Sequence, residues 1–122
     1  MESGNDIVAQ KHDVTIKDWH AHIYFDSDEA EPACVLCEAM RDALDVAMGR
    51  VHTVAVGPHP RGSCQMTVPQ DRLSDALLWL VLHRKKFTVF MHGNSGDDWR
   101  DHTAHVVWLG GSEPLNLDVF RR

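Results

Sequence analysis

Trp19-His20-Ala21-His22-Ile23-Tyr24-Phe25-Asp26 alternates residue by residue and carries imidazoles on one side of the alternation. Successive side chains of a strand point to opposite faces. Trp19, Ala21, Ile23 and Phe25 therefore share one face, and His20, His22 and Tyr24 the other. A half-buried strand ordinarily turns charges or hydroxyls outward. Two histidines and a tyrosine in a row point instead to a face that holds a metal or moves a proton.

The elements around this strand decide the sheet it belongs to. Asp26-Ser27-Asp28 reads as the N-cap cluster of a helix that starts near Glu31, keeps Pro32 in its first turn and runs to about Met48. Its apolar stripe is Ala33, Cys37, Met40, Leu44 and Ala47, with Gly49 as the terminating residue. Residues 50–56 read as a second strand. Gly57-Pro58-His59-Pro60-Arg61-Gly62 is a turn stiffened by two prolines. Residues 63–68 read as a third strand with Cys64, Met66 and Val68 on one face. Asp71 or Ser74 caps a second helix that reaches about Lys85 and presents Leu73, Ala76, Leu77, Leu80 and Val81. Phe87–His92 alternates as a fourth strand. After the polar loop 93–98, the stretches 105–109 and 115–120 add one or two short strands.

The order β-α-β-β-α-β with a C-terminal strand extension is the ferredoxin-like pattern. It predicts an α+β domain with an antiparallel sheet and both helices on one face. The opposite face is then open or covered by a second subunit, so a homodimer is expected. In this topology the first strand is central, between the third and fourth, and its start lies beside the end of the fourth. His20, His22, Tyr24, Phe90 and His92 then share the face away from the helices. The rigid turn aims His59, and Asp101-His102-Thr103 follows the fourth strand closely enough to bring Asp101 and His102 to the His92 end. Imidazole suits zinc, iron, copper and nickel, and imidazoles with one carboxylate and open positions suit non-haem Fe(II). Asp26 and Asp101 are the candidate carboxylates.

Composition narrows the function classes. The chain has 122 residues, enough for one core, with 12 Lys and Arg against 18 Asp and Glu and a net charge of −6. That balance argues against nucleic acid, whose phosphates call for a basic surplus. No apolar run reaches membrane-spanning length, so no membrane partner is expected. Residues 1–17 are polar, without an apolar signal core; they read as a flexible lead-in with a short strand near Val14–Ile16, ahead of a single domain over 18–122. Cys34, Cys37 and Cys64 read as reduced thiols of a cytoplasmic protein. Cys34-x-x-Cys37 falls inside a helix and reads as packing. His12, His52 and His83 read as structural or surface residues.

The blocks Trp19-His-Ala-His-Ile-Tyr-Phe-Asp26, Val56-Gly-Pro-His-Pro-Arg-Gly62, Asp101-His-Thr103 and Trp108-Leu-Gly110 resemble the DOPA 4,5-dioxygenase family of small ring-cleaving dioxygenases, from about residue 18 to 119. The resemblance implies extradiol cleavage of DOPA or another small catechol with O2. It implies non-haem Fe(II), with zinc or another divalent metal as the alternative. Carried onto this chain, it implicates His20, His22, His59 and His92 as metal ligands and His102 as an acid–base residue. Tyr24 is expected to hydrogen-bond substrate or oxygen, and Arg61 to meet a substrate carboxylate. The family commonly reads His-Pro after the fourth strand, where this chain has His92-Gly93. The alternatives are a cofactor-free monooxygenase or isomerase on the same face, and a non-catalytic metal- or ligand-binding module.

Overall fold

In the computed structural model, which describes residues 14–121, five strands form one antiparallel sheet in the order β2-β3-β1-β4-β5. The strands are β1 (Asp18–Phe25), β2 (Ala47–His52), β3 (Gly62–Pro69), β4 (Thr88–Gly93) and β5 (Val106–Leu109). The helices are α1 (Ala30–Leu44), α2 (Leu73–His83) and α3 (Asp98–Thr103). The first four strands with α1 and α2 make the ferredoxin-like unit, and β5 is its extension. β1 is central, pairing with β3 and β4, and its register sets His20 opposite His92 and His22 opposite Phe90.

The alternation in β1 becomes the division between core and site. Ala21, Ile23 and Phe25 are wholly buried with Cys64, Met66 and Val68 of β3 and Val89 and Met91 of β4. Ala33, Leu36, Cys37, Met40 and Leu44 of α1, and Ala76 and Leu80 of α2, cover this face. Burying each large apolar side chain contributes about 1.5–3 kcal/mol, so the register of β1 is strongly specified. A slip of one residue would drive imidazoles into this core. Cys37 packs on Cys64 inside it; a hydrogen bond to Cys64 and burial push the Cys37 thiol above the usual thiol range.

Several boundaries differ from the sequence expectation. α1 ends at Leu44, not Met48, because Asp45 takes a left-handed conformation (φ 55°) and returns its N–H to the Arg41 carbonyl at 2.8 Å. Asp tolerates that geometry better than most residues. β2 therefore begins at Ala47 rather than residue 50, Gly49 lies inside it, and Leu36 rather than Ala47 completes the helix stripe. α2 is fed by a 3-10 turn, Gln70–Arg72, has no side-chain cap from Asp71 or Ser74, and stops at His83. Val81 of its expected stripe is exposed. Leu117–Phe120 is a 3-10 turn instead of a strand. Val14–Ile16 is irregular, and residues 1–13 of the expected lead-in lie outside the described residues.

α3 was not anticipated. Asp97 caps it by accepting from the Arg100 N–H at 3.1 Å, a signal the sequence does carry. The helix is pinned to the end of β4 by Asp101, whose buried carboxylate accepts from the Ser95 N–H (2.8 Å), the Ser95 hydroxyl (2.6 Å) and His105 Nδ1 (2.8 Å). The second sheet face is not bare. The C-terminal segment crosses it, tied by the Asn116 N–H to the Pro58 carbonyl at 2.9 Å, by Glu113 to Arg61, and by Phe120 packed on His102. The chain itself thus supplies part of the cover for which a second subunit was expected.

Burial alone would raise the Asp101 pKa; the bonds from Ser95 and His105 outweigh it and hold the carboxyl below its ordinary value. A depressed carboxyl pKa stabilises the fold above the unfolded value, and that stabilisation is lost as pH falls through the folded one. Asp101→Asn should therefore cost about 1–3 kcal/mol at pH 7. Urea unfolding of both proteins should show this gap, closing as pH drops below about 4. A gap that is constant down to pH 3 would contradict the assignment.

Candidate functional site

Five imidazoles meet on the face opposite the helices. β1 presents His20 and His22, and β4 presents His92 directly across from His20. One ring nitrogen from each of these three can be chosen so that all lie within 4.8 Å of one another. His22 Nε2 and His92 Nε2 are 3.2 Å apart. The turn after β2 brings His59 to the other side of His22, with ring centres 4.1 Å apart, and α3 brings His102 to His92, also at 4.1 Å. His22, His59 and His92 are buried.

The rings of His20, His22, His59 and His92 are neutral donors of lone pairs. Burial comes first in lowering every one of these pKa values, and the neighbouring imidazoles add to it. His92 is pushed down to about 3 and His59 to about 4. His22 lies well below the ordinary histidine value, and His20 is lowered although Asp18 opposes the shift. Such a cluster is unfavourable for protons and well suited to a metal ion, because metal ligation needs neutral imidazole. Two nitrogens each about 2.0–2.1 Å from one ion sit roughly 3–3.4 Å apart, which the His22–His92 separation already matches. His20, His22 and His92 could hold a metal.

Hydrogen bonds orient the outer rings. His102 Nδ1 donates to the Asp98 carbonyl at 2.8 Å, which leaves the lone pair on Nε2. Tyr24 is wholly buried, and its hydroxyl lies 2.7 Å from His59 Nδ1. Burial pushes the phenol far up, so it keeps its proton at any ordinary pH. A ligand on His59 Nε2 selects the tautomer in which Nδ1–H donates to the Tyr24 oxygen. Phe90 lies below the imidazoles, 4.6 Å from Trp108 of β5 between ring centres, and Phe120 stands against His102 at 4.3 Å. These aromatics restrict water on the β4 side.

The tertiary structure gathers His20, His22, His59, His92, His102 and Tyr24. It engages the other expected groups elsewhere. Arg61 makes a two-point ion pair with Glu113 (3.0 and 2.7 Å) and reaches Asp26 at 3.1 Å. Neither candidate carboxylate joins the three nitrogens: Asp26 faces Arg61, and the Asp101 oxygens are taken by Ser95 and His105. Phe120 and Glu113 were not singled out by sequence reasoning. Trp108 stood in the sequence block Trp108-Leu-Gly110, and the structure sets it opposite Phe90. Gly93 is not a loose joint. Its N–H donates to the His105 carbonyl at 2.9 Å, a bond that proline could not make, and a Cβ there would meet Ile16 at 2.9 Å.

Comparison with known proteins gives the family and the fold. A DOPA 4,5-dioxygenase from Amanita muscaria is 33% identical over 115 residues, covering 86% of this chain and 50% of that protein. An uncharacterised protein of Botryotinia fuckeliana is 26% identical over 113 residues, covering 83% of this chain and 62% of the other. The chain thus spans about half to three-fifths of the length of these curated relatives. The crystal structure of a candidate dioxygenase from Nostoc punctiforme superposes with a TM-score of 0.78 at 28% identity, over 92% of this chain and 97% of that one. The profile of the Dopa 4,5-dioxygenase family matches residues 19–119, nearly the whole described fold, and the chain belongs to that family.

Proposed function

We propose that this protein is an extradiol dioxygenase that opens the ring of a DOPA-like or other small catechol, with both atoms of O2 ending in the product. The observation that carries this reading is the set of three neutral, mutually close imidazoles, His20, His22 and His92, flanked by His59 and His102. His20, His22 and His92 would hold non-haem Fe(II), with His59 as the fourth candidate ligand; zinc or another divalent ion suits the same donors. Bound there, the ion would supply Lewis acidity that lowers a catechol hydroxyl pKa and would bring the two reactants side by side.

The protein's own residues do the rest. His102 carries its lone pair on Nε2 because Nδ1–H is committed to Asp98, so Nε2 is the atom that accepts a catechol proton and later returns one. Tyr24 fixes the His59 ring through its hydroxyl. Phe90, Trp108 and Phe120 wall the β4 side and limit water. Arg61 would meet a substrate carboxylate only by exchanging Glu113; meanwhile it ties down the segment that crosses the sheet. The three free cysteines accord with a cytoplasmic setting, and no helix among the described residues is long and apolar enough to cross a membrane. If the protein is a homodimer, exposed Leu78, Val81 and Leu82 of α2 and Val35 of α1 offer the apolar surface for it.

Anaerobic titration with Fe(II) should give one site per chain, and His22→Ala should weaken it by about 100-fold or more, judged from the loss of one ligand of three or four. Binding that is unchanged in His22→Ala, or absent in the parent, would sink the metal assignment. With Fe(II)-loaded protein and a catechol, O2 uptake should accompany a yellow ring-opened product. His102→Gln should lower kcat by about 10²–10⁴ and leave Fe(II) affinity within a few-fold. An unchanged kcat in His102→Gln would assign the proton transfer to another group.

A further inference from the structure

β2 contains a bulge that sequence periodicity does not show. Met48 pairs with Met66 and Val51 pairs with Cys64, so Gly49 and Arg50 together oppose the single residue Gln65. Met48 and Val51 both pack on the core. In an unbroken strand Arg50 would follow Met48 onto that core face. The extra residue turns it to the opposite one, the usual effect of a bulge on side-chain direction. Gly49 suits the position, since a Cβ there would press to 3.3 Å on the Gln65 carbonyl. Gln65 in turn lies directly across from His22 on β1.

Arg50 consequently lines a cavity of about 330 Å³ whose walls include His22, His52, His59, Ser63 and Gln65. No Asp or Glu lines this cavity. Arg50 has no ion-pair or side-chain hydrogen-bond partner among the described residues, unlike Arg61. In a chain of net charge −6, an unpaired guanidinium on a cavity with no carboxylate in its wall is a local attractor for anions. Gln65 and Ser63 add neutral hydrogen-bonding groups, and nothing charged is present to meet an ammonium.

We propose that Arg50, with Gln65 and Ser63, is the specificity-determining end of the catechol site and binds a carboxylate on the substrate side chain. The proposal rests on the dioxygenase reading for its catechol end. The ring would sit at the imidazoles, and its side chain would run toward β2, away from α3. The favoured substrates are catechols with a carboxylate and no amine. A catechol amine is disfavoured, and the ammonium of an amino-acid side chain gains no partner in the cavity.

The test is equilibrium binding without O2 to the Fe(II)-loaded protein, followed by calorimetry. The probes are 3-(3,4-dihydroxyphenyl)propanoate, its amide, dopamine, and 3-phenylpropanoate, which keeps the carboxylate and lacks both hydroxyls. The propanoate should bind about tenfold or more tighter than the amide, from one charge-assisted contact, with dopamine weakest. Arg50→Gln should bring propanoate and amide within twofold of each other, and Arg50→Lys should keep part of the preference. Arg50 is exposed, and thermal melts should report an intact fold for its variants. A preference that survives in Arg50→Gln, or is absent from the parent, overturns the proposal. Binding of 3-phenylpropanoate that depends on Arg50, with no added affinity from the hydroxyls, would support the anion subsite while sinking the catechol reading.

Discussion

The pairing of β1 with β4 in one register is the constraint on which the rest of the molecule depends. It sets Ala21 and Ile23 against Met91 and Val89 on the helix side and His20 against His92 on the other. The apolar side supplies the free energy, and the polar side inherits its geometry from it. Imidazoles that repel protons from one another would not be expected to assemble unaided. Here they are held together because the core beneath them allows no alternative register.

That arrangement makes the site electrostatically unusual. His22, His59 and His92 are buried without a carboxylate among them; burial first, and neighbouring imidazoles after it, make each harder to protonate. The nearby Asp101 could have supplied a ligand oxygen, but Ser95 and His105 use its oxygens to anchor α3, and its charge only partly opposes the lowering at His92. The same carboxylate therefore acts through position, by fixing the helix that carries His102 beside His92. On the other flank Tyr24 orients His59, and Arg61 fastens the C-terminal segment through Glu113. The chain thus closes its own sheet face with backbone and ion-pair ties rather than leaving it wholly for a second subunit.

Much of this was legible because local period and topology are strong signals. The alternation over 19–25 and 87–92, the helical stripe from Ala33 to Leu44 and the proline-rich turn around His59 led to the ferredoxin-like order and to the grouping of His20, His22 and His92. The errors cluster where a backbone detail overrides a pattern. Asp45 ended α1 by adopting a left-handed conformation that the residue tolerates, while Gly49 looked like the better terminator. Leu115–Phe120 has the composition of a strand, but it joins no strand of the sheet: Leu117–Phe120 folds into a 3-10 turn and Phe120 packs on His102. The bulge at Gly49 and Arg50 is invisible to a period-two reading, since it is defined only by the partner strand.

The sequence by itself determined which face of the central strand is core and which carries chemistry, because burial and alternation are properties of neighbouring residues. It also determined the order of elements and, through four short blocks, the family to which the chain belongs. Only the tertiary structure decided which polar groups are spent on the fold and which remain free. Arg61 and Asp101, attractive as functional residues in the sequence, are committed to Glu113, Ser95 and His105. Arg50, unremarked in the sequence, is left without a partner beside His22. The Arg61–Glu113 pair joins residues 52 positions apart, which no local pattern encodes, and Asp101 meets Ser95 and His105 only because the loop and α3 fold back beside each other.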